Sequence, residues 1–243
     1  MLKLSKKGFI DNAYRTLYFN MFINKINKNH FLLLHSYKIS KCNFTQKLLE
    51  RCIGGEHITR RDLLLNSKYC LDIITDIKDG SLEDIINILS QNQYYSMIIQ
   101  ILFGLYLMHV NKFYHTDTII SNFCFTKTNI KYLDILGFNI PTFGYIFSII
   151  DYFDIKSIIF LSEDIDMNKF LSYTDLRYYD NMCFLGKSLF YNDKIILNDD
   201  GTIFNDPKFD DRKLNYKDTK YYIKHANNEY KLIKYFYKKF NIE

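Results

Sequence analysis

The residues best suited to chemistry form one short stretch, Tyr114-His115-Thr116-Asp117-Thr118-Ile119-Ile120-Ser121-Asn122-Phe123, and a later one, Ser148-Ile149-Ile150-Asp151-Tyr152-Phe153. The first places a His, an Asp two positions on and an Asn five beyond that, the pattern H-x-D-x-x-x-x-N. The second ends a short apolar run on an Asp. A carboxylate, an amide and a second carboxylate, in that order, are the groups that phosphoryl transfer asks of a protein. Asp117 would orient an attacking hydroxyl, while Asn122 and Asp151 would offer hard oxygens to magnesium beside a phosphate. The pattern constrains only three positions, so its surroundings carry as much weight as the residues themselves.

Those side chains need elements that turn them toward one another, and the flanking sequence offers candidates. Over residues 94–109, Tyr95, Ile98, Ile99, Leu102, Leu105, Tyr106 and His109 recur at three- and four-residue steps, which predicts an amphipathic helix. Asn122-Phe123-Cys124-Phe125 predicts a short buried strand, and Gly144-Tyr145-Ile146-Phe147-Ser148-Ile149-Ile150 a second one that delivers Asp151. A carboxylate directly after buried Ile149-Ile150 would carry a desolvation cost unless paired or metal-bound. Asp134 and Asp154 do not complete the spacing.

Elsewhere the pattern predicts a helix over residues 11–28, with Tyr14, Leu17, Tyr18, Met21, Phe22 and Ile26 on one face. A strand follows at 31–39, then a connection with some helical content at 45–65 around Gly54-Gly55, and a strand at 69–76. Asp79-Gly80 turns into a short helix over 82–89, with Ser81 as N-cap and Asp84 closing a capping box. Residues 198–202 read as a polar turn and the tail from 213 as helical. Lys231 to Phe240 mixes lysines with aromatics, which a nucleic-acid or membrane-surface helix would also do. Its Leu232, Ile233, Phe236 and Phe240 fall at helical spacing, and a terminal helix docked on the core is the expectation.

Bulk properties narrow the class. A chain of 243 residues suffices for one large domain or two lobes with a substantial core. The net charge of +5 comes from interspersed residues of both signs, so no nucleic-acid partner is expected. The abundance of Tyr and Phe, 21 each, matches the coding bias of an AT-rich genome and carries no function. Five cysteines without a C-x-x-C pair or a secretory leader point to thiols in a reducing compartment, hence an intracellular protein. No apolar run reaches 18 residues, so no membrane span is expected. The six histidines never stand four apart on a helix, which leaves a zinc site little support.

On these residues the chain resembles a divergent protein kinase and is most similar to the kinase-like proteins of large DNA viruses. Thr75-Asp76-Ile77-Lys78-Asp79-Gly80-Ser81-Leu82-Glu83-Asp84-Ile85-Ile86 resembles the segment that joins the two kinase lobes. Asn29-His30-Phe31-Leu32-Leu33-Leu34-His35-Ser36-Tyr37 resembles the strand entered after the regulatory helix. Ile140-Pro141-Thr142-Phe143-Gly144-Tyr145-Ile146 is similar to an insertion common in the viral group, and the likeness extends to about residue 190. The resemblance implies an α+β, protein kinase-like two-lobe fold. Residues 1–78 would form a truncated N-terminal lobe, and residues 79–243 a mostly helical C-terminal lobe. It implies ATP and Mg2+ as cofactors and a protein substrate phosphorylated on Ser or Thr, in host cytoplasm or virion. Asp117 would be the catalytic residue, and Asn122 and Asp151 would hold metal and nucleotide. His115 would pack and hydrogen-bond within the loop. Residues 178–190 resemble the central helix of the large lobe, where Asp180, or Asp175, would bond the loop backbone. Met1-Leu2-Lys3-Leu4-Ser5-Lys6-Lys7 resembles the end of the strand that carries the phosphate-binding lysine. Lys3 is then that lysine and Asp11 its acidic partner; the competing reading is a solvated lysine near a frayed terminus.

Departures from the kinase pattern open an alternative. Thr116 replaces the usual Arg, Ile119 a basic residue, and Asp151-Tyr152-Phe153 stands for Asp-Phe-Gly. No glycine-rich loop and no Ala-Pro-Glu triplet occur. These losses suit a catalytically inactive pseudokinase that binds or regulates a protein partner. Small-molecule kinases of the aminoglycoside or choline type share the same three residues, and the Asp79–Asp84 segment is what separates the chain from them.

Overall fold

The computed structural model describes residues 2–3, 7–27, 29–41, 69–152, 155–157, 173–185, 196–197, 203–204 and 227–240. They mix helices with antiparallel strands, in keeping with the α+β class. The chain divides into two units, one of Met1–Lys28, Leu32–Ile77 and Tyr152–Ile155, the other of Asn29–Phe31, Lys78–Asp151 and Lys156–Glu243. The expected segments at 45–65 and 198–202 lie outside the described residues.

In the first unit, β1 (Leu2–Lys3), α1 (Lys7–Ile26), β2 (Leu34–Lys41) and β3 (Tyr69–Thr75) follow one another. The strands form an antiparallel sheet in the order β1-β3-β2, with Lys3 opposite Cys70 and Ile39 opposite Leu71. Leu17, Leu34 and Leu71 make the core with Ile73 against them. The helix begins at Lys7, earlier than expected, and the strand after it begins at Leu34.

The buried face of α1 also differs from the expected one. Thr16, Leu17, Phe19, Asn20 and Ile23 are buried, whereas Tyr14, Tyr18 and Met21 are exposed. Hydrophobicity alone selects the tyrosine face, because two of the buried positions are polar. Their hydrogen bonds explain the inversion: Thr16 Oγ1 donates to Tyr152 O at 2.9 Å, and Asn20 Nδ2 to Thr16 O at 2.8 Å. Phe19 then packs edge-on against the Tyr152 ring, with centroids 4.8 Å apart.

The second unit is built around α3 (Gln91–Val110), which follows β4 (Gly80–Ser81) and α2 (Leu82–Ile85). The capping box of Ser81 and Asp84 is present, and a second one, Ser90 with Gln93, opens α3. The helix expected over 82–89 ends already at Ile85. After α3 come β5 (Phe113–Tyr114), a 3-10 turn at Ile120–Asn122, β6 (Phe123–Lys127), the hairpin β7 (Tyr132–Ile135) and β8 (Phe138–Pro141), and β9 (Tyr145–Ile149). Then follow β10 (Lys156–Ser157), α4 (Tyr173–Cys183), β11 (Ile196–Leu197), β12 (Ile203–Phe204) and α5 (Glu229–Tyr237).

Helix α3 is buried nearly all round, which fits its run of Met97, Ile98, Ile99, Ile101, Leu102 and Leu105. One side carries β9. Gly104 permits the approach, since a Cβ there would stand 2.9 Å from Ile149 Cδ1. Strand β9 pairs with β6 on one edge, and side-chain and backbone groups of other segments bond along its second edge. Gln100 Nε2 donates to Tyr145 O at 3.2 Å and Gln100 Oε1 accepts from Phe147 N at 3.0 Å. Further along, Ile149 N donates to His30 O at 2.9 Å.

The final helix behaves as its spacing predicts. Leu232, Ile233 and Phe236 are fully buried and Phe240 nearly so, while Lys231, Lys234 and Lys238 face outward. No helix among the described residues is long and apolar enough to cross a membrane.

Candidate functional site

The register of β6 and β9 determines which candidate residues meet. Phe123 stands opposite Ile149, so Asn122 and Ile150 extend the ladder by one step, and Ile150 N donates to Asn122 O at 2.9 Å. Asp151 is the next residue. Asn122 in turn reaches back along the loop, its Nδ2 donating to Asp117 O at 2.7 Å and to Asp117 Oδ2 at 3.0 Å. Asp117 and Asn122 are thus bonded to each other, and the backbone of Asp151 follows at the same end of the β6–β9 pair. Lys3 belongs to the other unit. It lies on β1 in the first unit, and its side chain, like that of Asp11, is outside the described part.

His115 supplies a second tie between the two stretches. It is 1% exposed and its Nε2 donates to Ile150 O at 2.7 Å, which places the ring proton on that nitrogen. A buried ring bonded to a backbone carbonyl acts in support, in agreement with the packing role expected for it.

Asp180 bonds the loop backbone as the resemblance implies. Its carboxylate accepts the N–H of His115 at 3.0 Å and of Thr116 at 2.9 Å, and its carbonyl accepts Thr118 Oγ1 at 2.7 Å. The helix that carries it runs from Tyr173 to Cys183, so Asp180 sits in its second half and not at its start. Two neighbouring amides on one carboxylate hold Thr116 at φ 58°, a left-handed backbone that a β-branched residue rarely adopts. Such a conformation costs about 1–3 kcal/mol and persists only where its surroundings enforce it.

Asp151 also has a positive φ, 59°, and it is exposed. This corrects the expectation that a carboxylate after Ile149-Ile150 is desolvated. Ile149 is buried, Ile150 is half-buried, and the left-handed turn at Asp151 carries its side chain out of the apolar run. Burial therefore does not demand a metal at Asp151.

The donor set nevertheless suits magnesium. Asn122 Nδ2 is committed to Asp117, so the amide oxygen is the atom left to act as a ligand. One amide oxygen and one exposed carboxylate fit an ion that keeps several waters and takes the rest of its shell from phosphates. Among the described residues no group of three or more His, Cys, Asp or Glu side chains is arranged to cage a metal without such help.

Tyr179, on the same helix as Asp180, is exposed, and its phenol is pushed up to about 12. The hydrogen bond with Cys183 is the main cause, followed by the charge of that sulfur, with burial and the charges of Asp180 and Asp117 adding to it. The phenol stays protonated across the physiological range. A shallow groove of about 420 Å³ lined by Gln93, Lys127, Asn129 and Phe143 lies at the opposite end of the ladder, where Lys127 faces Tyr145. It contains none of the candidate residues.

Three contributors had no signal in the sequence: Gln100, which replaces a strand neighbour, and His109 and Glu229, which hydrogen-bond to each other across 120 residues. His109 reads only as one more inward position of a helix, and Glu229 as one charge in a polar tail. Compared with known proteins, the chain matches no protein-family model and no curated protein sequence.

Proposed function

We propose that this chain is a protein kinase-like protein that transfers the γ-phosphate of ATP to a hydroxyl of a protein substrate, of the Ser/Thr type. The observation that carries the reading is the bonded pair of Asn122 and Asp117, with Asp151 one residue past the strand position that Asn122 O accepts from. Asp117 orients the substrate hydroxyl and takes its proton. Asn122 Oδ1 and Asp151 are the ligands for Mg2+, which would supply charge neutralisation at the phosphates of bound ATP. Asn122 also restrains the Asp117 carboxylate, and His115 and Asp180 hold the backbone on both sides of it. Lys3 is the candidate for the nucleotide phosphates on the resemblance of residues 1–7 alone. The resemblance to proteins of large DNA viruses carries with it a location in host cytoplasm or virion.

The second reading is an inactive pseudokinase that binds and regulates a protein partner. Thr116, Ile119 and Phe153, where kinases carry an Arg, a basic residue and a Gly, favour it. A thermal-shift titration with MgATP separates the two. Binding to the folded state raises the melting temperature by mass action, about 2.7 kcal/mol at a hundred times Kd. A magnesium-dependent rise in the wild type that Asp151→Asn abolishes supports the enzyme. No rise in either protein leaves the binding module as the better account.

A further inference from the structure

We infer that Glu229 and His109 are positioning residues for the loop that carries Asp117, so that the C-terminal helix α5 sets the geometry of the candidate site. The inference rests on the proposed function for what the loop does, and on hydrogen bonds alone for how it is held.

Glu229 opens α5 and is fully buried. Its Oε1 accepts from His109 Nδ1 at 2.8 Å, from Asn181 Nδ2 at 2.6 Å and from Arg177 Nε at 2.8 Å. Its Oε2 pairs with the second arm of the Arg177 fork. The other nitrogen of His109 meets Asp180 Oδ2 at 2.9 Å, and that same oxygen accepts the His115 amide. An unbroken path of hydrogen bonds therefore runs from α5 through α3 and α4 to the residues that immediately precede Asp117.

Each link is needed by the next. Both ring nitrogens of His109 face carboxylate oxygens: the neutral ring donates to one of them, and the second contact becomes attractive only with a further proton, which burial opposes by lowering the pKa of His109. The Arg177 guanidinium pairs with the buried Glu229 carboxylate. Removing the charge of Glu229 weakens the acceptor at His109 Nδ1 and with it the hold of the ring on Asp180. Asp180 is the group that enforces the left-handed backbone at Thr116. A plug that merely anchored α5 could end anywhere in the core. This one ends on the loop amides.

Amide hydrogen exchange tests the inference without ATP, so its outcome is independent of whether the chain proves to be a kinase. Glu229→Gln is compared with Leu232→Ala, a buried change on the same helix outside the network. Glu229→Gln is expected to speed exchange of the His115 and Thr116 amides about ten-fold or more beyond its effect on the amides of α3. Leu232→Ala is expected to raise all of them together. Should Glu229→Gln not fold, Arg177→Lys, which keeps the charge but loses the fork, is read the same way with an expected selective rise of about three-fold. Loop amides that respond no more than those of α3 would overturn the inference. In a turnover assay the same variant lowers kcat and leaves the KM for ATP unchanged; a change in KM alone also overturns it. A wild type that binds no MgATP would remove the proposed function and leave the exchange result to stand or fall on its own.

Discussion

Asp180 accepts the backbone N–H of Thr116 at 2.9 Å while Thr116 is held at φ 58°, so a buried carboxylate stabilises a backbone that the threonine side chain disfavours. Thr116 immediately precedes Asp117. The strain sits where the candidate chemistry does, and its restraint comes from a helix sixty-four residues away in sequence.

That pairing makes Thr116→Gly a discriminating substitution. Glycine has no Cβ to clash at positive φ, so relief of strain offsets its greater freedom in the unfolded chain. The expected result is a folded protein as stable as the wild type or more so, by up to about 1 kcal/mol in urea denaturation. Thr116→Ala keeps the Cβ and is expected to show no gain. If Gly is the more destabilising of the two, the left-handed geometry is wrong.

Asp117→Asn tests the proposed chemistry directly. The amide can still accept one hydrogen bond but cannot take a proton from a substrate hydroxyl. Phosphate incorporation into a protein substrate should fall by a factor of about 100 or more. The thermal shift with MgATP should persist, because Asn122 and Asp151 are unchanged. Equal turnover in both proteins would remove Asp117 from the role of base.

Gln100 stands in for a strand along the second edge of β9. Gln100→Ala leaves the Phe147 N–H and the Tyr145 carbonyl without this partner, one donor and one acceptor. The expected loss is about 2–4 kcal/mol, measurable as a lowered midpoint in chemical denaturation. Gln93→Ala, at the half-buried start of the same helix, should cost less than half as much. A loss at Gln100 no larger than that at Gln93 would mean the strand edge is satisfied by other groups.

His30 predicts the sign of a pH effect. It is fully buried, bonds Phe147 O through Nδ1 at 3.2 Å and packs edge-on against Phe103. Burial pulls its pKa down to about 4, the hydrogen bond to Phe147 O opposes this, and the charge of Lys78 adds to it. The folded state then keeps the ring neutral where the unfolded chain, with the ordinary value of 6.5, takes up a proton. Between those values the unfolded state binds more protons, so stability rises with pH and is lost on acidification from 6.5 toward 4. The loss is about 3 kcal/mol at most. His30→Gln should flatten the denaturation midpoint over that window; an unchanged slope would place the titration elsewhere.

Several elements were legible in the chain because their signals are local. Ser81 and Asp84 lie three residues apart and their capping box forms as the spacing predicts. The stripe of Leu232, Ile233, Phe236 and Phe240 is buried as helical periodicity requires. Helix α1 failed in its facing, because the buried Thr16 and Asn20 are polar and acquire partners only through the fold. Asp151 failed in its burial, since a single left-handed residue redirects a strand end and leaves no trace in the hydrophobic pattern.

The order of residues by itself indicated which groups could meet: H-x-D-x-x-x-x-N sets Asp117 and Asn122 five apart, and a short apolar strand through Ile149 leads to Asp151. Those are distances along one backbone, and a turn or strand of known rise converts them to space. Only tertiary structure decided that Asn122 bonds Asp117, that Asp180 receives two loop amides, and that Glu229 reaches His109 across 120 residues. Hydrogen bonds between buried polar groups are set by where whole elements pack, and periodicity within any one element carries no record of that.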